Sequence, residues 1–279
     1  MLMTTFAETR RNKILEALAR ERYLKVADLS QRFRVSQMSI RRDLYYLEEQ
    51  GLLQRVHGGI VATPLLRLGL EISPDVSSQL RDRRPENEDI ARLAATLIMP
   101  GDHLILDSGV ITYLTACALP GDLLTQGELT VITHSLPVAL ELAPWPGIET
   151  ILLGGEYQAG GMMNLTGPST LRSLHGLHAD KMFMTAEAID ILHGVTISKH
   201  GLEGELIRSM IAACNRLVLL VNSGKIGQVC RQPLLPISAV ECVVIGQGAP
   251  AEYISYLRTL GLEVLLAKPG LRNPIREQL

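Results

Sequence analysis

Two sets of polar residues in this 279-residue chain have the types and spacing that chemistry needs. The first lies in the run 36–50, SQMSIRRDLYYLEEQ, where Ile40, Leu44 and Leu47 fall at i, i+4 and i+7 on one helix face and Ser36 stands where it can cap the N-terminus. Gln37, Met38, Arg41 and Arg42 are thereby turned to the other face. An amide and two guanidinium groups near a helix start are suited to base edges in a major groove and to phosphates. The second set is a series of turns, each directly behind a β-prone segment: Asp107-Ser108-Gly109, Thr133-His134-Ser135, Gly154-Gly155 and Asn222-Ser223-Gly224-Lys225. Glycine permits close backbone approach, hydroxyls donate hydrogen bonds, helix N-termini offer free N–H groups and Lys225 adds a charge, so the turns describe a pocket for an anion or a sugar.

The elements that must position the first set are short and closely spaced. A helix is expected over 8–20, with Ile14, Leu15 and Leu18 inward and Arg10, Arg11 and Lys13 outward, then a break at 21–25. Val26, Leu29 and Phe33 predict a second helix over 26–33, and Arg34-Val35 form the tight turn into the Ser36 cap, which is helix-turn-helix spacing. After Gly51, LLQRVHGGIV reads as a small hairpin around Gly58-Gly59 that carries Arg55 and His57 near the phosphates or the minor groove. The stretch 63–84, with Pro64 and Pro74 and no periodicity, reads as a linker. From there, helical and strand-like segments alternate: helices over 88–98, 111–119, 136–142, 202–214 and 251–260, and strands over 103–107, 129–133, 149–153, 181–185, 217–221, 241–245 and 263–266. That rhythm predicts an α/β unit with a mostly parallel sheet and helices on both faces, whose ligands bind outside the carboxyl ends of the strands. The expected organisation is a DNA-binding domain over 1–62, a linker over 63–84 and a sensing and oligomerisation domain over 85–279.

Composition agrees. Residues 1–62 carry 11 Lys/Arg against 7 Asp/Glu, net +4, whereas the remainder carries 16 against 22, net −6, so the basic end is the polyanion end. No apolar run approaches a membrane span and MLMTTFAETRRN has no signal-peptide core, so a cytoplasmic location is expected. Cys117, Cys214, Cys230 and Cys242 show no CxxC spacing and read mostly as small core residues. His175, His178, His193 and His200 form no recognised metal set, and neither GxxxxGK[ST] nor GxSxG occurs, so no metal, nucleotide or other cofactor is expected.

The run VSQMSIRRDLYYLEEQGLLQRVHGGI resembles the winged helix-turn-helix of the DeoR family of bacterial transcription regulators, whose usual pattern is VS-x-x-T-IRRDL-x-x-LE-x-x-G-x-L-x-R-x-HGG. Ser39 stands where the family usually has Thr and keeps the hydroxyl. The resemblance implies that Gln37, Met38, Ser39, Arg41 and Arg42 contact the major groove and that Arg55 and His57 lie on the wing; with the capping Ser36 these are the expected DNA-binding residues. LDSG, VITHSLPVA, ILLGGEY, LEGELIRSMI and NSGKIG are similar to the family's effector domain, which is related to sugar-phosphate isomerases and senses phosphorylated sugars. An effector site of Asp107, Ser108, Gly109, Thr112, Thr133, His134, Ser135, Gly154, Gly155, Glu203 and Lys225 is thereby implied. Three departures stand out: Val110-Ile111 replace two of the usual hydroxyl residues and leave Thr112, His134 replaces an Asn, and Asn222 and Gly224 replace the Asp and Ser before the lysine.

The function expected is a DNA-binding regulator, most simply a repressor of a carbohydrate operon, that binds operator DNA as a dimer or tetramer under control of a phosphorylated sugar. Two other readings remain open at this point. One is a sugar-phosphate isomerase with an accessory DNA-binding head, in which Asp107, Glu203 and Lys225 act as acid, base and electrostatic stabiliser. The other is a DNA-only regulator whose effector pocket has decayed.

Overall fold

The computed structural model describes residues 6–269 apart from 22, 50–52, 57–58, 63–84, 159–162 and 199–200. The chain divides into two compact units, one through residue 81 and one over 82–273. His57 and the stretch 63–84 lie outside the described residues.

In the first unit, α1 (Phe6–Glu21), β1 (Tyr23–Lys25), α2 (Val26–Phe33), α3 (Gln37–Glu49), β2 (Leu53–Val56) and β3 (Gly59–Ala62) form three helices and a three-stranded sheet of order β1-β3-β2. α2 ends because Arg34 takes a left-handed conformation at φ 52°, and the Ser30 hydroxyl then donates to the Val35 carbonyl at 2.7 Å. Ile14, Leu18, Leu29, Ile40, Leu44, Leu47, Leu53 and Ile60 make one core. α1 corrects the expectation that Arg10 and Arg11 face outward. Their Nε atoms donate to the two carboxylate oxygens of Asp43 on α3, at 2.5 and 3.0 Å, and Asp43 is buried. A buried carboxylate needs cationic partners, and these two arginines supply them across 32 and 33 residues of sequence. β1 was unreadable in advance because its three residues bury one side chain, Leu24, and become a strand only by pairing with β3.

Gly59 is the tight point of the wing. A Cβ there would meet the Leu24 carbonyl oxygen at 2.4 Å and the Tyr23 ring at 2.7 Å. Gly59→Ala is therefore expected to push β3 off β1 at a cost of about 2 kcal/mol, in the range of overpacking. Hydrogen exchange of the β1 and β3 amides should quicken, and unchanged protection would show that the contact relaxes freely.

The second unit runs α4 (Pro85–Ala95), β4 (His103–Leu106), α5 (Val110–Cys117), α6 (Gly121–Gln126), β5 (Leu129–Thr133), α7 (Leu136–Leu142), β6 (Ile148–Leu152), the small hairpin β7 (Glu156–Tyr157) and β8 (Leu165–Thr166), then α8 (Pro168–Leu174). It continues with β9 (Ala179–Thr185), β10 (Ala188–Asp190), β11 (Gly194–Ile197), α9 (Leu202–Ala212), β12 (Cys214–Val221), β13 (Gln232–Leu235), β14 (Cys242–Gly246), α10 (Ala251–Thr259) and β15 (Glu263–Ala267). The main sheet has seven parallel strands in the order β15-β14-β12-β9-β4-β5-β6. Leu104, Ile105 and Leu106 are all buried, the continuous apolar run that a strand covered on both faces requires. One face packs α9 and α10, through Leu206, Met210, Ile254 and Leu257, with Leu174 of α8. On the other, α4 packs on α5 and against β14, and α5 on α7 and β9. β5 and α7 occupy the residues expected of them. The antiparallel sheet β10-β11-β13 was not foreseen: β10 and β11 stand between β9 and α9, and β13, from between β12 and β14, pairs with β11. Of the four cysteines only Cys242 is buried; Cys117, Cys214 and Cys230 are partly exposed, which corrects the expectation that most of them are core residues. Burial pushes the Cys242 thiol up to about 11 and leaves it protonated at neutral pH.

Candidate functional site

The surface of α3 is built from its cap outward. The Ser39 backbone N–H donates to Ser36 Oγ at 3.2 Å and the two serine hydroxyls lie 3.0 Å apart, so Ser36 fixes where the helix begins. Gln37, Met38, Arg41 and Arg42 are exposed, Met38 by 68%, an unusual fraction for an apolar side chain. Neither Arg41 nor Arg42 makes an ion pair with another described residue, although Asp43 and Glu48 are on the same helix. Two unneutralised guanidinium groups beside a free amide and thioether make a surface that awaits a polyanion. Arg55 on β2 is placed differently. Period-2 alternation puts it on the face of Leu53, toward the helices, where its Nε donates to Glu48 Oε2 at 2.8 Å.

Replacing Arg41 and Arg42 by alanine one at a time should separate their roles. Removing a bidentate arginine from guanine costs about 1–3 kcal/mol at one base position, whereas removing an arginine from a phosphate weakens binding to every sequence alike and reduces its salt dependence. Affinities for a permuted operator set, measured at several salt concentrations, distinguish the two. Equal binding by both variants and the parent would remove these residues from the interface.

In the second unit β4, β5 and β6 step toward one edge of the sheet and β9, β12, β14 and β15 toward the other, so the strand order reverses between β4 and β9. A crevice forms at such a point outside the carboxyl ends of the strands. Asp107-Ser108-Gly109 follows β4 there. Neighbouring strands are about 4.8 Å apart, so the turns after β5, β4, β9 and β12 lie side by side along this edge. His134, wholly buried, places Nε2 3.0 Å from Asp107 Oδ1 and Nδ1 3.1 Å from the Leu165 carbonyl oxygen. A carbonyl only accepts, so Nδ1 carries a proton, and the contact with Asp107 holds one more, on Nε2 or on the carboxyl. The Thr133 hydroxyl donates to the Leu106 carbonyl at 2.6 Å and accepts from Ser135 N at 3.1 Å, which ties the ends of β4 and β5 together. Ser135 Oγ and Asn164 Oδ1 are buried without a described partner, on two segments bridged to each other.

Gly109 (φ 153°) opens α5, and a Cβ there would meet Thr185 Oγ1 at 2.8 Å. Thr112 Oγ1, fully buried, lies 2.9 Å from the same Thr185 hydroxyl. The first backbone bond of α5 runs from Tyr113 N to Gly109 O, so the N–H groups of Val110, Ile111 and Thr112 precede the helical ladder. Ile111 itself packs into the core. Lys225, half-buried, sits in a single 3-10 turn at Ser223–Lys225, and Glu203 in the first turn of α9. Gly154 and Gly155 follow β6 and lie against α8, where Gly155 leaves room for Thr170 Oγ1. Thus Asp107, Thr133, His134 and Ser135 gather at the ends of β4 and β5 through short hydrogen bonds, while Gly109 and Thr112 meet Thr185 at the end of β9. Gly154, Gly155 and Lys225 flank these residues without a hydrogen bond to them among the described residues.

Two residues were missed. Thr185 ends β9 at the reversal point and was legible as a strand terminus. Glu86, at the start of α4, accepts from Ser223 N at 3.0 Å and fills the space beside Gly246, a contact across 137 residues that no local pattern announces.

A capped, cationic recognition helix with a wing, joined to a doubly wound α/β unit with a polar crevice at its reversal point, defines a ligand-sensing DNA-binding regulator. Residues 10–63 match the DeoR-like helix-turn-helix domain and residues 83–247 the DeoR C terminal sensor domain. The HTH-type transcriptional regulator GolR of Listeria innocua is 31% identical over 94% of this chain and 100% of its own. The HTH-type transcriptional repressor GlcR of Bacillus subtilis is 29% identical over 94% and 97%, and the transcriptional repressor AccR of Agrobacterium fabrum 29% over 78% and 81%. The chain belongs to the DeoR family of transcriptional regulators. Among solved structures, ribose 5-phosphate isomerase A of Methanocaldococcus jannaschii superposes with a TM-score of 0.37 and 16% identity over 50% of this chain and 53% of that chain. No helix among the described residues is long and apolar enough to cross a membrane.

Proposed function

We propose that this regulator is a cytoplasmic repressor of a carbohydrate operon, bound to its operator as a homo-oligomer and switched by a phosphorylated sugar in the crevice between β4 and β9. The observation that carries this reading is the convergence of polar turns at the strand-order reversal. The phosphate lies on the N–H groups of Val110, Ile111 and Thr112 with Lys225 as counter-charge, which makes up for the hydroxyls that Val110 and Ile111 lack. Ser108, Ser135 and Glu203 face the sugar hydroxyls, and Gly109, Gly154 and Gly155 allow close approach. Thr133 and His134 act from behind, by holding the turns. In the first unit Ser36, Gln37, Met38, Ser39, Arg41 and Arg42 meet the groove, and Arg55 and His57 the backbone. Two-fold assembly sets the half-site spacing at about one helical turn or a multiple.

The reading as a sensor rather than an isomerase rests on Asp107: His134 occupies one of its carboxylate oxygens in a closed, buried contact, an arrangement suited to holding a turn. The test is binding to the region upstream of its own gene at fixed salt, titrated with sugar phosphates and the matching free sugars. A shift in affinity with a phosphate ester and none with its free sugar supports the proposal. Turnover of the ester, or a response to free sugars alone, refutes it.

A further inference from the structure

The apolar stripe of α3, at Ile40, Leu44 and Leu47, sets the direction of everything else on the helix. Successive residues are turned by about 100°, so the consecutive pair Tyr45 and Tyr46 stand on opposite flanks of the face that presents Met38 and Arg42. Both residues are exposed, by 53% and 44%. Each has an arginine over it: the guanidinium carbon of Arg55 is 3.8 Å from the Tyr45 centroid, and that of Arg11 is 3.8 Å from the Tyr46 centroid. The arginines arrive from different sides, Arg55 from the wing and Arg11 from α1. Each is also held at Nε by a carboxylate of α3, Arg55 by Glu48 at 2.8 Å and Arg11 by Asp43 at 3.0 Å.

One construction thus occurs twice, once on each flank. Held over a ring and at Nε, Arg11 makes no Nη hydrogen bond to another described residue and keeps its outer Nη1–Nη2 edge for a partner, while Arg55 is held further by a side-chain hydrogen bond with Tyr45. Two parallel N–H groups are the geometry that takes a phosphate bidentately. Two guanidinium groups so held on either side of a groove-reading helix correspond to the two sugar-phosphate strands that wall a major groove about 12 Å wide. We propose that the Arg11–Tyr46 and Arg55–Tyr45 stacks are a pair of pre-ordered phosphate clamps, one for each DNA strand bordering the groove that α3 enters. Asp43, Glu48 and the two tyrosines are positioning residues. They immobilise two long side chains during folding, so that ordering is not required again at binding. The proposal rests on α3 being the DNA-reading helix.

The test uses the full-length chain and a mixed-sequence DNA duplex, because phosphate contacts are indifferent to sequence, with affinity followed by fluorescence anisotropy over a salt series. Each phosphate contact contributes about 0.9 to the slope of log affinity against log salt. Arg11→Gln and Arg55→Gln should each reduce the slope by about that amount, and the double variant by about twice it. Tyr45→Leu keeps both cations and should weaken binding several-fold. Hydrogen exchange of α3 separates these effects from unfolding; Arg10 still neutralises Asp43 in Arg11→Gln, and where that variant nevertheless loosens α1, Tyr46→Leu, which keeps both cations and should weaken binding several-fold, is read instead. Unchanged slopes with α3 still protected would make the stacks mere braces and overturn the proposal. Failure of the parent chain to bind the duplex would instead refute DNA reading by α3, and the clamps with it.

Discussion

Replacing His134 by leucine should cost the second unit about 3–5 kcal/mol, the loss expected when one member of a buried ionic or hydrogen-bonded pair is removed. Leucine fills much of the same space, so the cost is electrostatic rather than a cavity. It leaves the buried Asp107 carboxyl without its ring partner and the Leu165 carbonyl, on a half-buried residue, without its donor. The contact also joins three chain segments, the ends of β4 and β5 and the start of β8, so its loss should loosen the crevice as a whole. Asparagine at 134 keeps an amide donor toward Asp107 and is expected to recover much of the stability. Trp145, the single tryptophan, follows α7 in this unit and reports its unfolding in denaturant. A loss below about 1 kcal/mol for His134→Leu would mean that the pair does not hold the turns.

Asp43→Ala is expected to cost the first unit about 3 kcal/mol and to abolish specific DNA binding. The carboxylate is buried and is the common acceptor of Arg10 and Arg11, so its removal strands two partly buried cations against the inner side of α3. Substituting either arginine alone should cost less, since the other still neutralises Asp43. The three losses will therefore not add, as expected of one network. Hydrogen-exchange mass spectrometry of the full chain resolves the effect: α1 and α3 should lose protection while the seven-stranded sheet keeps its own. Equal protection in variant and parent would contradict the assignment.

What was legible in advance follows the range of the interactions concerned. α2, β5 and α7 occupy the residues expected for them, because local signals end each one: a left-handed turn at Arg34, a threonine that turns the chain after β5, and a serine before α7. The recognition helix was readable from its cap and its 3.6-residue stripe, and the α/β class from the alternation of apolar runs. Helix ends set by distant packing were less exact. α4, expected over 88–98, begins at Pro85, where Glu86 reaches the turn after β12.

By itself, then, the sequence determines the capped helix with two arginines on its free face, the winged helix-turn-helix, the rhythm of the second unit and the polar character of its strand ends. Those properties depend on residues within a turn or two of one another. Only the tertiary structure decides that the strand order reverses between β4 and β9, that Thr133 is spent within the protein while Thr185 joins the crevice, that His134 closes on Asp107, and that Arg10 and Arg11 turn inward to Asp43. Each of these is a contact between segments 27 to 73 residues apart, or a neighbour relation between strands. Hydropathy and turn propensity describe which face of an element is buried, and only packing selects what it is buried against.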